Sequence, residues 1–350
     1  MKLKIEKLVY GGAGVGEIDG KIIFVPFSAP GDILDIEIVS DHANYAEGAI
    51  AKILEPSGCR TEPPCPVFGK CGGCQWQHIS YDGQLEWKRK ILVETLQRIG
   101  KVDFDVSPTL ASPKQWNYRN RIQLHVDSKG RAGFYRPKSK EVVEFDRCLI
   151  ADEKINAQLN SMRDSLKFRT KGISLRLEEG PSFLQINSEQ NERLKSTVLN
   201  WLQEIPHDSV LELYAGGGNF TFAIAKIAKK VAASDVDIKA VRHAKGIMEK
   251  EKIENVEFFC EPADKTAKRF DRACDAVLID PPRKGCADSL DAIAGLAPKS
   301  IIYISCDPPT LARDIKNFYG HGYKLSKSIP VDMFPQTYHI ESVNLLTLSE

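Results

Sequence analysis

The first 55 residues alternate apolar and polar positions in short runs, LKIEKLVY, KIIFVPF, DILDIEIV and EGAIAKIL, separated by Gly, Pro and Asp. A period of two bounded by turn residues predicts strands, and several strands in so short a stretch predict a small β-barrel over 1–55. From about Ser209 the rhythm changes. SVLELY with NFTFAIAKIAKK, KVAASDV with IKAVRHAKGIMEK, ACDAVLID with SLDAIAGLA, and SIIYIS with LARDIKNFYG each couple an apolar run to a helical one. Alternation of that kind predicts a mainly parallel sheet wrapped by helices. The chain then divides into a barrel over 1–55, a central α+β domain over 56–195, and an α/β Rossmann-like domain over 196–350. The central part holds a cysteine-rich loop, a helical stretch from about Tyr81 to Ile99, and a basic segment.

Candidate chemistry gathers where the apolar runs end. VLELYAGGGNF opens into Gly216, Gly217 and Gly218 before a helix, so a ligand can approach the backbone at a helix amino end. Asp235 closes the next run about 20 residues on, the offset at which an acid meets ribose hydroxyls. The full G-x-G-x-x-G spacing is absent, which favours S-adenosylmethionine over a nicotinamide dinucleotide. Asp280 ends a third run inside LIDPPRKG, and Cys306 ends a fourth inside IIYISCDPPTLARD. A thiol at a carboxyl sheet edge meets ligands, although free cysteine is also among the most buried residue types. The earlier cluster in YGGAGVGEIDGK precedes a strand-like run rather than a helix, and reads as turn chemistry.

Composition narrows the setting. The 350 residues are 42% apolar and 27% charged, ordinary for a soluble chain of roughly two to three domains. The opening MKLKIEKLVYGG has no long apolar core and no uncharged run elsewhere spans a bilayer, so a cytoplasmic location without membrane contact is expected. No obligate protein partner is evident. Nine cysteines, four of them between Cys59 and Cys74, point to metal or catalytic use rather than disulfides. A net charge of +1 is uninformative about nucleic acid, but Arg119 to Lys140 carries seven basic residues and one acid. Trp116, Tyr118, Phe134 and Tyr135 lie in or beside it, so Tyr118, Arg119 and Arg121 are candidate RNA contacts; a solvated hairpin face is the plainer alternative.

With LIDPPRKG, ISCDPPTLARD and HIESVNLL in this order, the chain resembles the S-adenosylmethionine-dependent RNA uracil-5-methyltransferase family of the TrmA/RumA type over nearly its whole length. Residues 1–55 resemble a TRAM domain, and PPCPVFGKCGGCQWQH with the distant FDRCLIAD resembles the family's iron-sulfur motif. The resemblance places the nucleophile on Cys306 and the general base on Glu341. It places cofactor and target contacts on Phe183, Gln185, Tyr214, Gly216, Asp235 and Asp280, and the ligands of a 4Fe-4S cluster on Cys65, Cys71, Cys74 and Cys148. Local departures occur: ELYAGGGNF stands for a DLYCGVGTF type sequence, ASDVD for a Gly-Val-Glu type, and SCDP for SCNP. Spacing alone leaves zinc open for the four cysteines.

The implied reaction suits these residue types. Carbon 5 of uracil is a poor nucleophile until a thiolate adds to carbon 6, a role for Cys306. A base must then remove the carbon 5 hydrogen, and the apolar neighbours of Glu341 would raise its pKa toward the working range. RNA is the expected partner, ribosomal more than transfer because of the barrel. Two alternatives stand beside this reading, a non-catalytic RNA-binding protein of the same fold and a methyltransferase acting on another substrate.

Overall fold

The computed structural model describes residues 1–166, 172–177, 185–270 and 274–349. Strands β1 (Lys2–Lys4), β2 (Lys7–Leu8), β3 (Gly14–Ile18), β4 (Lys21–Val25), β5 (Ile33–Asp41) and β6 (Tyr45–Glu55) pair in the order β1-β5-β6-β4-β3-β2. Alternation directs Leu3, Ile5, Ile23, Val25, Leu34, Ile36 and Ala46 into one small core. The sheet curls back on itself, since Glu6 N donates to the Val15 carbonyl at 2.8 Å. Gly16 permits this closure, because a Cβ there would stand 2.2 Å from the Lys4 carbonyl.

Buried Asp32 anchors the chain that leaves the barrel, accepting from Ser57 N at 2.8 Å and pairing with Arg60 at 2.7 Å. Helix α1 (Tyr81–Thr95) starts where Ser80 caps Gly83 N. The expected helix to Ile99 holds in extent, but its end, Leu96–Gly100, widens into a π-turn before left-handed Lys101. The central sheet combines β7 (Arg121–Val126), β8 (Ala132–Tyr135), β9 (Val142–Glu144) and β10 (Ile173–Arg176) in the antiparallel order β10-β7-β8-β9, with α2 (Glu153–Leu166) over it. Ile122, Leu124, Phe145, Ile155, Leu159 and Leu175 form its core.

Helix α3 (Ser188–Gln203), capped by Asn187, runs through the expected boundary at 195/196. Its Leu194, Val198 and Leu202 pack into the C-terminal core, so the helix belongs with that unit. There β11 (Ser209–Leu213), α4 (Thr221–Ile224), β12 (Lys230–Asp235), α5 (Ile238–Glu251), β13 (Val256–Cys260), α6 (Ala263–Arg269), β14 (Ala276–Ile279), α7 (Leu290–Gly295), β15 (Ser300–Ser305) and α8 (Pro308–Gly320) alternate, the four expected strand-helix pairs being joined by a fifth, β13 with α6. Strands β16 (Tyr323–Val331) and β17 (Glu341–Leu348) close the chain. The seven strands lie in the order β13-β12-β11-β14-β15-β17-β16, the first five parallel and β17 antiparallel to both neighbours. Two apolar layers cover the sheet, and α1 contributes Leu92 to one of them. The strand order reverses between β11 and β14, which opens a crevice at their carboxyl ends.

Candidate active site

The crevice has a volume of about 1560 Å³ and reaches from Gly216, Asp235 and Val236 past Asp280 to Cys306 and Glu341. Single-ligand pockets occupy about 300–1,000 Å³, so there is room for a cofactor and a second group. Tyr214 follows β11 with φ +62°, a left-handed conformation that a bulky residue adopts at a cost of about 1–3 kcal/mol. Its hydroxyl shares a 2.7 Å hydrogen bond with Ser289 Oγ, which holds the turn to the opposite wall. Gly216, at φ +55°, sends its N–H to Asp235 Oδ2 at 2.8 Å, while Asp235 Oδ1 accepts from Asp237 N. The Asp235 carboxylate is thereby fixed facing the crevice.

Asp280 closes β14 on the same edge. Burial, then the nearby Asp235 charge, pushes its carboxyl up to about 7. Cys306 follows β15 and directly precedes Asp307, the cap of α8, which accepts from Thr310 N at 3.0 Å. Its thiol is pushed up to about 12 by burial first, then by Glu341 and Asp280, with Arg283 opposing. Glu341 opens β17 beside Cys306 because Ser342 pairs with Ser305 in the ladder. Only 4% exposed, Glu341 is held well above the carboxylate range by burial and then Asp280, again against Arg283. One crevice therefore gathers a thiol, two proton-retaining carboxyls and one guanidinium.

Gln185 lines the mouth, where its backbone carbonyl accepts from Asn120 Nδ2 at 2.8 Å, whereas Phe183 lies outside the described residues. Tyr118 corrects the expectation of a stacking surface. It is 5% exposed, and its hydroxyl donates to the Pro335 carbonyl at 3.0 Å, so the ring is packed inside the protein. Arg119 points to the cysteines rather than the crevice, and Arg121 stands opposite Arg176 on neighbouring strands. Two crevice residues escaped selection in the sequence. Arg283 sits inside the quoted LIDPPRKG, and His339, which burial lowers to about 4, sits inside YHIES. The glycine turn and the two Asp-Pro-Pro stretches carried the legible signal; a single Arg or His beside them did not.

Cys65, Cys71, Cys74 and Cys148 surround a separate cavity of about 460 Å³. All are free thiols; burial raises Cys71 to about 11 and Cys74 to about 12, and each also feels the charge of other members of the set. Among the described residues, no three His, Cys, Asp or Glu side chains converge closely enough to hold a metal ion. Cys59 turns away toward Ser57 Oγ and the Pro30 carbonyl.

Comparison with known proteins matches this arrangement. A family described as tRNA (uracil-5-)-methyltransferase matches residues 158–349, and the TRAM domain matches residues 1–51. The chain belongs to the tRNA (uracil-5-)-methyltransferase family. An uncharacterized RNA methyltransferase of Bdellovibrio bacteriovorus is 34% identical, covering 98% of this chain and 94% of its own. One from Listeria innocua is 30% identical over 99% and 97%. The solved tRNA (uracil-54, C5)-methyltransferase of Pyrococcus abyssi, in complex with S-adenosyl-L-homocysteine, is 25% identical with a TM-score of 0.76, covering 99% of this chain and 100% of that one. The fold is that of an S-adenosylmethionine-dependent methyltransferase with an N-terminal TRAM domain, and the protein is an RNA (uracil-5-)-methyltransferase. No helix among the described residues is long and apolar enough to cross a membrane.

Proposed function

We propose that this RNA (uracil-5-)-methyltransferase works through a covalent adduct on Cys306 and proton removal by Glu341. The observation that carries the reading is the opening of both side chains into the crevice that holds the Gly216–Asp235 turn. Bound there, S-adenosylmethionine supplies an electrophilic methyl group on a cationic sulfonium. Asp235 offers acceptor oxygens to ribose hydroxyls, and Asp280 and Gln185 face the space left for a planar base. A target uridine reaches Cys306 only when extruded from its RNA fold.

The Cys306 thiol gives up its proton to solvent water in the crevice and its sulfur bonds to carbon 6, which leaves the electron pair on the enolate of the ring. Arg283 is the cation placed to favour both this thiolate and the Glu341 carboxylate. As carbon 5 takes the methyl, the sulfonium–methyl bond breaks and S-adenosylhomocysteine leaves as a neutral thioether; ionised Glu341 then accepts the carbon 5 proton. The carbon–sulfur bond then breaks, carbon 5 and carbon 6 regain their double bond, and the Cys306 thiolate is released. A carboxyl held above its ordinary range is the stronger base once ionised, which suits abstraction from carbon.

Cys65, Cys71, Cys74 and Cys148 would hold the 4Fe-4S cluster. The four thiols line one cavity, and the likeness of their motif to the family's iron-sulfur motif favours iron over zinc. The loop already lies on the central sheet, with Gly72 N donating to the Tyr135 carbonyl at 2.9 Å, so the cluster would clamp that contact. The RNA is ribosomal or transfer. The barrel does not separate these, because the P. abyssi protein named for transfer RNA is covered over 100% of its length.

The test is tritium release from ribosomal and transfer RNA labelled at uridine carbon 5, with anaerobically purified protein and S-adenosylmethionine. Release by the unaltered protein and none by Cys306→Ala supports the mechanism and names the RNA. Release that survives Cys306→Ala removes the covalent step.

A further inference from the structure

The glycine cluster after Tyr10 behaves as a turn, and the fold carries that turn to the catalytic sheet. Tyr10 Oη donates to Asp307 Oδ2 at 3.0 Å, across 297 residues of chain. The Gly12 carbonyl accepts from Trp76 Nε1 at 3.0 Å, and Tyr10 meets Tyr338 edge to face with ring centroids 5.7 Å apart. The turn is thus seated on both sides of the hydrogen bond. Asp307 directly follows Cys306, and its two oxygens divide their work. Oδ1 caps α8 through Thr310 N, while Oδ2 faces the barrel.

The residue after the thiol in SCDP is an acid. Asp307 adds a carboxylate to a crowded set. Glu341 from β17, Asp280 from the end of β14, and Asp307 all disfavour ionisation of the Cys306 thiol, Arg283 favours it, and His339 of the loop before β17 lines the same wall in its neutral form. A donor on Asp307 offsets part of that added charge and stops the side chain from turning toward the sulfur. Burial and Asp307 raise the Tyr10 hydroxyl, so it remains a donor at working pH.

We propose that Tyr10 is a positioning residue for the nucleophile: the TRAM turn holds Asp307 in the α8 cap, and so keeps Cys306 placed and ionisable. The TRAM domain then acts on the reacting loop directly, besides any contact with RNA. The inference rests on Cys306 as nucleophile, but its geometry belongs to the free protein and its test needs no RNA.

The test is the pH profile of Cys306 carbamidomethylation by iodoacetamide with no substrate, followed at the Cys306 peptide by mass spectrometry after proteolytic digestion. Tyr10→Phe keeps the ring against Tyr338 and removes only the donor. Its profile should move to higher pH, with alkylation at fixed pH falling about three- to tenfold, the consequence of a shift of roughly half to one pH unit. Asp307→Asn should react faster than the unaltered protein, and adding Tyr10→Phe to it should change the rate less than twofold. Melting temperature and S-adenosylhomocysteine affinity should stay level across all three. An unchanged profile for Tyr10→Phe, or an equal fall in both backgrounds, overturns the proposal. Absence of tritium release would count against the uridine mechanism and leave these alkylation rates standing, so the two failures are distinct.

Discussion

The Gly216 amide donates to Asp235 Oδ2 at 2.8 Å, joining the turn after β11 to the end of β12. One carboxylate therefore both shapes the glycine turn and faces the crevice. Asp235→Ala removes the acceptor for Gly216 N and for Asp237 N together with the ribose contact. Hydrogen bonds to a charged group contribute about 1.5–3 kcal/mol, so the dissociation constant for S-adenosylhomocysteine should rise roughly 10- to 100-fold by calorimetric titration. Binding unchanged within twofold would remove Asp235 from the cofactor contacts.

The buried carboxyl Asp280 sets a pH dependence of stability. Its folded value of about 7 lies above the ordinary 3.8, so the folded state holds the proton longer than the unfolded one. Any such contribution is complete below pH about 4 and is lost as pH rises through about 7. Asp280→Asn lacks this loss. The variant should melt several degrees above the unaltered protein at pH 8, and the gap should shrink to less than half at pH 5. Glu341, raised in the same direction, adds to the loss in the unaltered protein. Differential scanning calorimetry at the two pH values checks it; a gap that is constant or larger at pH 5 would refute the burial argument.

Strand-helix alternation made four of the five parallel strands legible, because each is a short apolar run ended by Gly or Asp, as at Ile301 to Asp307, whereas β13 (Val256–Cys260) was missed. The barrel was legible for the same reason. Residues acting through tertiary contact were not. Tyr118 looked like a stacking aromatic because its neighbours are basic, yet its hydroxyl pairs with the Pro335 carbonyl more than two hundred residues away. The Tyr10–Asp307 bond leaves no local pattern either, since neither partner breaks a period or a turn rule. Sequence pattern reports the strand ends that build a site; which distant side chain leans on them depends on the packing.

The cysteine set predicts a selective loss. Serine at Cys65, Cys71, Cys74 or Cys148 should abolish bound iron and the broad visible absorbance of anaerobically prepared protein, whereas Cys59→Ser should keep both. Cys59 is satisfied by Ser57 and Pro30 and does not line the cavity. Metal analysis decides between chemistries. Zinc at one equivalent in place of iron and sulfide would replace the cluster by a mononuclear site.

Lys88 and Asp332 form an ion pair with both side chains fully buried, and Lys88 Nζ also donates to the Phe334 carbonyl at 3.1 Å. Asp332 and Phe334 begin the loop that leads through His339 to Glu341, so α1 grips this loop from beneath. Burial alone lowers the Lys88 pKa, and Asp332 opposes that shift by favouring the charged form. Lys88→Met fills a similar volume but strands the Asp332 charge, a loss of about 3–5 kcal/mol in stability by denaturant unfolding. Lys88→Met with Asp332→Asn removes both charges and should recover more than half of that loss. Methyl transfer should stay low in the double variant, because the Phe334 carbonyl still lacks its donor and the loop before Glu341 is freed. Equal recovery of stability and activity would show that the pair serves folding alone.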